Sequence, residues 1–155
     1  MTRINVGIQP EELNDQHLIA EHREIKRIPN CVAKGKYNME GIPDKFKLGT
    51  GHVKFFYNKL LYLKFRYANL YTECIRRGFK VQNYIGAWNN IPEELMNDYK
   101  PTYIDRLIVQ ERILEKLKQR IKEFNEIKYP KDNETRIVIA TLKPVETVTK
   151  AYKHI

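Results

Sequence analysis

Residues 53–78, VKFFYNKLLYLKFRYANLYTECIRRG, decide the fold. Val53, Phe56, Leu60, Leu63, Tyr67, Leu70 and Cys74 recur at alternating steps of three and four, which places them on one face of a helix. The spacing predicts a helix from about Val53 to Arg77. Gly78 stands where a left-handed C-terminal cap belongs. Arg76 and Arg77 in the last turn suit the negative end of the helix dipole; contact with phosphates is the other role open to them.

Working outward, two more helices follow. Asn14 or Asp15 can cap a helix running to about Ile28, with Pro29-Asn30 as its stop. Leu18, Ile25 and Ile28 mark its packing side. Gln16, Ala20, Arg23 and Arg27 form a second stripe, and His17 and Glu24 lie one step of about 100° beside it. A short carboxylate thus stands among basic side chains. Thr102 and Asp105 have the spacing of a capping box, with Asp in place of the usual Glu. The helix they open carries Leu107, Leu114, Leu117, Ile121 and Phe124 inward, while Arg112, Lys116 and Arg120 step by four along another face. Such a row is either a solvated face or a nucleic-acid contact.

The connections read as loops: 30–52 is punctuated by Gly35, Gly41, Pro43, Gly49 and Gly51, and 79–101 holds the only tryptophan, Trp88. A core anchor is the expected role of Trp88, ahead of base stacking. Beyond Pro130, Thr135–Leu142 is β-branched and short, the pattern of a strand with no evident partner. The expectation is an all-α single domain of three main helices with long loops over residues 1–130, followed by a C-terminal extension, 131–155, that fits a short strand or an irregular tail.

Composition narrows the function. The chain has 155 residues, enough for one modest core. No apolar run approaches the roughly 20 residues a bilayer requires, and no signal-peptide core opens the sequence, so the cytoplasm is the expected compartment. Cys31 and Cys74 sit outside metal-ligand spacing and are expected as free thiols. His17 and His22 are five apart and miss the alignment that lets two histidines share a metal, so neither a metal nor a cofactor is expected. With 28 Lys+Arg against 19 Asp+Glu, the net charge is +9 and the pI near 9.5. That excess points to an anionic polymer, with nucleic acid ahead of membrane because no strongly apolar amphipathic face accompanies it.

Several blocks then carry a family resemblance. They are Met1-Thr2-Arg3-Ile4-Asn5; Asp15-Gln16-His17-Leu18; Glu21 with Arg23-Glu24 and Arg27; Phe46, Leu48-Gly49, Gly51-His52-Val53, Phe55-Phe56-Tyr57 and Lys59-Leu60; Glu73-Cys74 with Arg77-Gly78-Phe79; and Arg112, Glu115-Lys116 and Gln119-Arg120. In this order, over about residues 1–120, they resemble the pyrimidine-dimer DNA glycosylases of T-even phages, historically called endonuclease V. The resemblance implies an all-α, metal-free bifunctional glycosylase/AP lyase acting on cyclobutane pyrimidine dimers in the infected host cell. It implies a monomer whose partner is double-stranded DNA containing UV lesions or abasic sites. Carried over residue by residue, it makes the Thr2 α-amine the nucleophile and Glu24 the catalytic carboxylate, and assigns DNA contact to Arg3, Gln16, His17, Arg23, Arg27, Arg112 and Lys116. The phage enzymes have a phenol where this chain has His22, a longer loop after the first helix, and a terminal run of Trp and Tyr. Here Phe124 and Tyr129 precede an unrelated tail, and Tyr129 or residues 130–155 are expected to complete the lesion pocket.

Elementary chemistry supports the same residues. The small side chain of Thr2 permits removal of Met1. An α-amine has a pKa of about 7.7–8.0 against about 10.4 for lysine, so roughly two orders of magnitude more of it is neutral near pH 7. A neutral amine can attack an anomeric carbon and form a Schiff base. A carboxylate can stabilise the cationic sugar, position the amine and move the proton for β-elimination, and neighbouring arginines are expected to keep Glu24 ionised. An ordinary surface pair with Lys26 or Arg27 is the structural alternative for Glu24. The competing functions are the same chemistry on another modified base, or DNA binding without catalysis.

Overall fold

The computed structural model describes residues 2–128. Met1, Tyr129, and the extension 131–155 with its expected strand lie outside the described residues. Five α-helices follow in order: α1 Asp15–Glu24, α2 Arg27–Ala33, α3 His52–Phe55, α4 Leu60–Arg76 and α5 Tyr103–Lys128, with short 3-10 turns at Pro10–Glu12, Ile85–Trp88 and Glu93–Leu95. There is no strand among the described residues, so the all-α expectation holds.

The helix signals act where the sequence put them. Asn14 Oδ1 accepts the His17 N–H at 2.8 Å, capping α1. The box at α5 is complete: Thr102 N–H donates to Asp105 Oδ2 at 3.0 Å, and Asp105 N–H to Thr102 Oγ1 at 3.1 Å. At the end of α4, Gly78 N–H reaches Ile75 O and Phe79 N–H reaches Cys74 O, the two bonds of a Schellman cap. The arginines before it are occupied by protein. Arg76 and Arg77 both bind the buried Glu73, and Arg77 also meets Asp15 and the carbonyls of Pro10 and Glu11, tying α4 to the N-terminal turn.

Three expectations are corrected. The first helix ends at Glu24, and α2 begins at Arg27 and runs through Pro29 to Ala33. Proline in a first turn lacks only an N–H that has no helical partner anyway, so Pro29 opens a helix here instead of stopping one. The long middle helix is also split. Phe55 and Phe56 are both fully buried, although neighbours on a straight helix point about 100° apart. The break between α3 and α4 brings both rings inside, and Lys59 Nζ, 3.9 Å above the Phe55 ring, binds Phe55 O and Asn58 Oδ1. Asn97 O then takes the Tyr62 N–H of α4's open first turn.

On α5, Val109, Ile113 and Leu117 are buried, whereas Leu107 and Leu114 are 39% and 48% exposed. α5 meets the N-terminal segment, with Arg106 bound to Gly7 O and Arg112 to Asn5 Oδ1, and farther along reaches α1 through Arg120 and Gln16. Gly7, with φ 80°, permits that approach: a Cβ there would stand 2.9 Å from Arg106 Cβ.

The core joins Ile4, Val6 and Ile8 to the inner faces of α1, α2 and α4. Trp88 anchors it as expected, donating its indole N–H to Leu60 O at 3.0 Å. His22 is buried among Tyr67, Tyr71 and Tyr84, its Nε2 3.2 Å from the Tyr67 hydroxyl. Cys31 and Cys74 are free thiols. No described helix is long and apolar enough to cross a membrane.

Candidate active site

The site is built on a buried segment that forms neither helix nor strand. Ile4, Val6 and Ile8 are fully buried and Asn5 nearly so. Beyond the turn bond from Ile8 N–H to Asn5 O at 3.2 Å, a buried segment outside helix and strand must find outside partners for its polar backbone, and four elements supply them. Ile4 N–H donates to His52 Nε2 (2.9 Å) and Asn5 N–H to Glu21 Oε1 (3.2 Å). Arg106 of α5 binds Gly7 O at 2.6 Å, and Arg66 of α4 binds Ile8 O at 2.5 Å.

Glu21 is the hub. It accepts from Asn5 Nδ2 at 2.7 Å and from Arg66 Nε at 2.7 Å and Nη2 at 3.0 Å, although only 2% of it is exposed. Burial opposes the Arg66 charge, but the bonded Glu21 outweighs it and holds the arginine pKa above its ordinary value. The other side of Asn5 faces α5, where its Oδ1 accepts from Arg112. The path Arg66–Glu21–Asn5–Arg112 therefore runs from the core to a surface cleft.

That cleft, about 270 Å³, is lined by Arg3, Asn5, Gln16, His17, Ala20, Glu21, Glu24, Arg112, Ile113 and Lys116. On α1, Gln16, Ala20 and Glu24 fall at steps of four and face it together. Arg120 binds Gln16 Oε1 at 2.7 Å from the rim. Glu24 is mostly covered, and its one ion pair among the described residues is a loose 3.9 Å contact with the exposed Arg23, not the pair with Lys26 or Arg27 that is the structural alternative to a catalytic role. Concentrated positive charge has visible consequences. Burial, then Arg112, Lys116, Arg120 and Arg3, depress the His17 pKa to about 4, so this imidazole is neutral near pH 7. Burial and then Arg3 and Arg112 also lower Lys116.

Of the nine residues singled out from the sequence, Arg3, Gln16, His17, Glu24, Arg112 and Lys116 come together here. Thr2 is buried, 8% exposed, two residues from the anchored Ile4 and next to Arg3, but is not part of the cleft wall. Arg23 and Arg27 are exposed and stand outside it. Asn5 and Glu21 were missed as site residues. Glu21 had a signal: with Leu18, Ile25 and Ile28 it occupies the packing face of the first helix, where a carboxylate requires a buried partner. No group of three metal-ligating side chains is present among the described residues.

A helical body whose cationic cleft holds a mostly covered carboxylate is the build of an enzyme acting on a phosphate polymer. Comparison makes the class specific: a family model described as pyrimidine dimer DNA glycosylase matches residues 1–85, more than half of the chain, and the chain belongs to that family. It is a DNA glycosylase, and DNA is its substrate. The match includes Arg3, Gln16, His17, Glu21, Glu24 and His52; Arg112 and Lys116 lie beyond it and are joined to the site by the fold.

Proposed function

We propose that the enzyme breaks the glycosidic bond of one base of a cyclobutane pyrimidine dimer in double-stranded DNA and then cuts the strand, acting as a monomer. The Thr2 α-amine, freed by removal of Met1, attacks C1′; the glycosidic bond breaks, and the base takes the bonding electron pair and a proton while the cyclobutane ring still joins it to its neighbour. Opening of the sugar ring gives a C1′ Schiff base. Loss of a C2′ proton then expels the 3′ phosphate by β-elimination, which is the AP-lyase step. Glu24 stabilises the cationic sugar and relays the protons. Arg3, Gln16, His17, Arg112 and Lys116 hold the phosphates and the displaced nucleotide, with Arg23 and Arg27 contacting the backbone from outside the cleft.

The observation carrying this reading is the meeting, in one cleft, of Glu24 with cations from both ends of the described chain, beside the anchored segment that begins at Thr2. Borohydride should trap processed protein on dimer-containing or abasic duplex, and the adduct should map to the Thr2 α-amine. Mapping to a lysine would refute the nucleophile. Cleavage of abasic duplex alone, with dimers ignored, would refute the lesion assignment and keep the amine chemistry.

Phosphate contact predicts a second result. Binding to duplex should weaken steeply with salt, and Arg112→Ala or Lys116→Ala should each lower the log–log slope by about one unit if it neutralises one phosphate. An unchanged slope, measured by fluorescence anisotropy across a salt series, would remove that residue from the DNA contact.

A further inference from the structure

The Gly51-His52-Val53 motif has no part in the chemistry above, yet His52 is one of the few buried polar residues and it reaches the segment that carries the nucleophile. Its ring is fixed on both edges. Nδ1 lies 2.8 Å from Lys47 O, an acceptor only, so Nδ1 carries the proton. Nε2 is therefore the bare nitrogen, and it accepts the Ile4 N–H at 2.9 Å. The faces are fixed too: Phe46 and Phe56 pack edge-on at centroid distances of 5.5 and 5.4 Å. A rotamer change would need space that these rings occupy.

We infer that His52 is a positioning residue for the glycosylase reaction, acting as the neutral acceptor that sets where the N-terminal segment enters the site. This rests on the Thr2 amine being the nucleophile. Only Arg3 separates Ile4 from Thr2, a tether of about 7 Å at most, so the anchor at Ile4 limits where the amine can go. Glu21 anchors the next residue through its backbone and its side chain. Two successive backbone amides are thus held from different elements, α3 and α1, and together they fix position and direction. Attack on C1′ depends on such placement, because a misplacement of about 1 Å can cost on the order of a hundredfold in rate. Burial lowers the His52 pKa, Lys47 O opposes that, and Arg112 and Arg3 add to it against Glu21, in keeping with a ring that serves as an acceptor.

The test compares His52→Phe, which keeps the ring packing but has no acceptor, with His52→Gln, whose side-chain oxygen can reach the place of Nε2. Three quantities are read in the full chain: the single-turnover rate of borohydride-trappable adduct on abasic duplex, the affinity for duplex carrying an uncleavable tetrahydrofuran site, and hydrogen exchange at the Ile4 amide. For His52→Phe the expected result is a trapping rate about ten- to a hundredfold lower, unchanged affinity, and faster exchange at Ile4. His52→Gln should recover most of the rate and the protection. Trapping by His52→Phe at the parent rate overturns the inference, as does Ile4 protection that survives loss of the acceptor. So does a His52→Gln variant that protects Ile4 yet traps as slowly as His52→Phe. If His52→Phe fails to fold, the decision falls to His52→Gln, where parent-like protection and trapping support the role. An adduct that maps away from Thr2 in the parent defeats the nucleophile assignment instead, and the exchange data still report whether His52 anchors the segment.

Discussion

Glu24→Gln should leave affinity for dimer-containing duplex within a few-fold of the parent, while turnover falls by roughly two orders of magnitude or more, the scale of a lost acid/base or electrostatic group. The substitution is nearly isosteric and removes one negative charge from a cleft that already holds Arg3, Arg112 and Lys116. On the proposed function, binding rests mainly on those cations and should not suffer. The proposed chemistry, by contrast, needs the carboxylate itself, to face a sugar gaining positive charge and to take up a proton. The single contact with Arg23, at 3.9 Å and with Arg23 largely in solvent, contributes little to stability, so the folded protein should melt as the parent does. Equal cleavage rates for the two proteins on the same substrate would reduce Glu24 to a surface carboxylate.

Arg66→Met should be the most destabilising single change within reach of the site, at about 3–5 kcal/mol, because it strands the Glu21 carboxylate in the core. Arg66 and Glu21 are 8% and 1% exposed at their side chains and meet at 2.7 Å. Arg66 also holds Ile8 O, so its loss loosens the N-terminal segment directly. A fall in melting temperature of roughly 10 °C is expected for a domain of this size. The double change Arg66→Met with Glu21→Leu should recover much of the loss, since it removes both buried charges together. A melting curve for Arg66→Met that overlays the parent would show that the pair does not stabilise this fold.

Much of the molecule is legible in the residue order. Leu60, Leu63, Tyr67, Leu70 and Cys74 repeat at helical spacing and are all buried on α4, while Asn14, Thr102 with Asp105, and Gly78 mark helix ends that form as expected. Half of the cleft was legible for the same reason: Gln16, His17 and Glu24 lie close together on one side of α1, as Arg112 and Lys116 do on α5. Periodicity and capping depend on backbone geometry over a few residues, so the sequence alone determines them.

Tertiary structure decided the rest. Whether 53–77 was one helix or two turned on room for both Phe55 and Phe56, and the buried row of α5, Val109, Ile113 and Leu117, was set by how that helix docks on the rest of the chain. Arg3 reaches Arg112 and Lys116, Glu21 finds Arg66 forty-five residues away, and His52 meets Ile4 across forty-eight. No local pattern encodes those pairs. A buried charge or amide has to be matched by some partner, and which one is fixed only when the folded chain brings distant groups within hydrogen-bond reach.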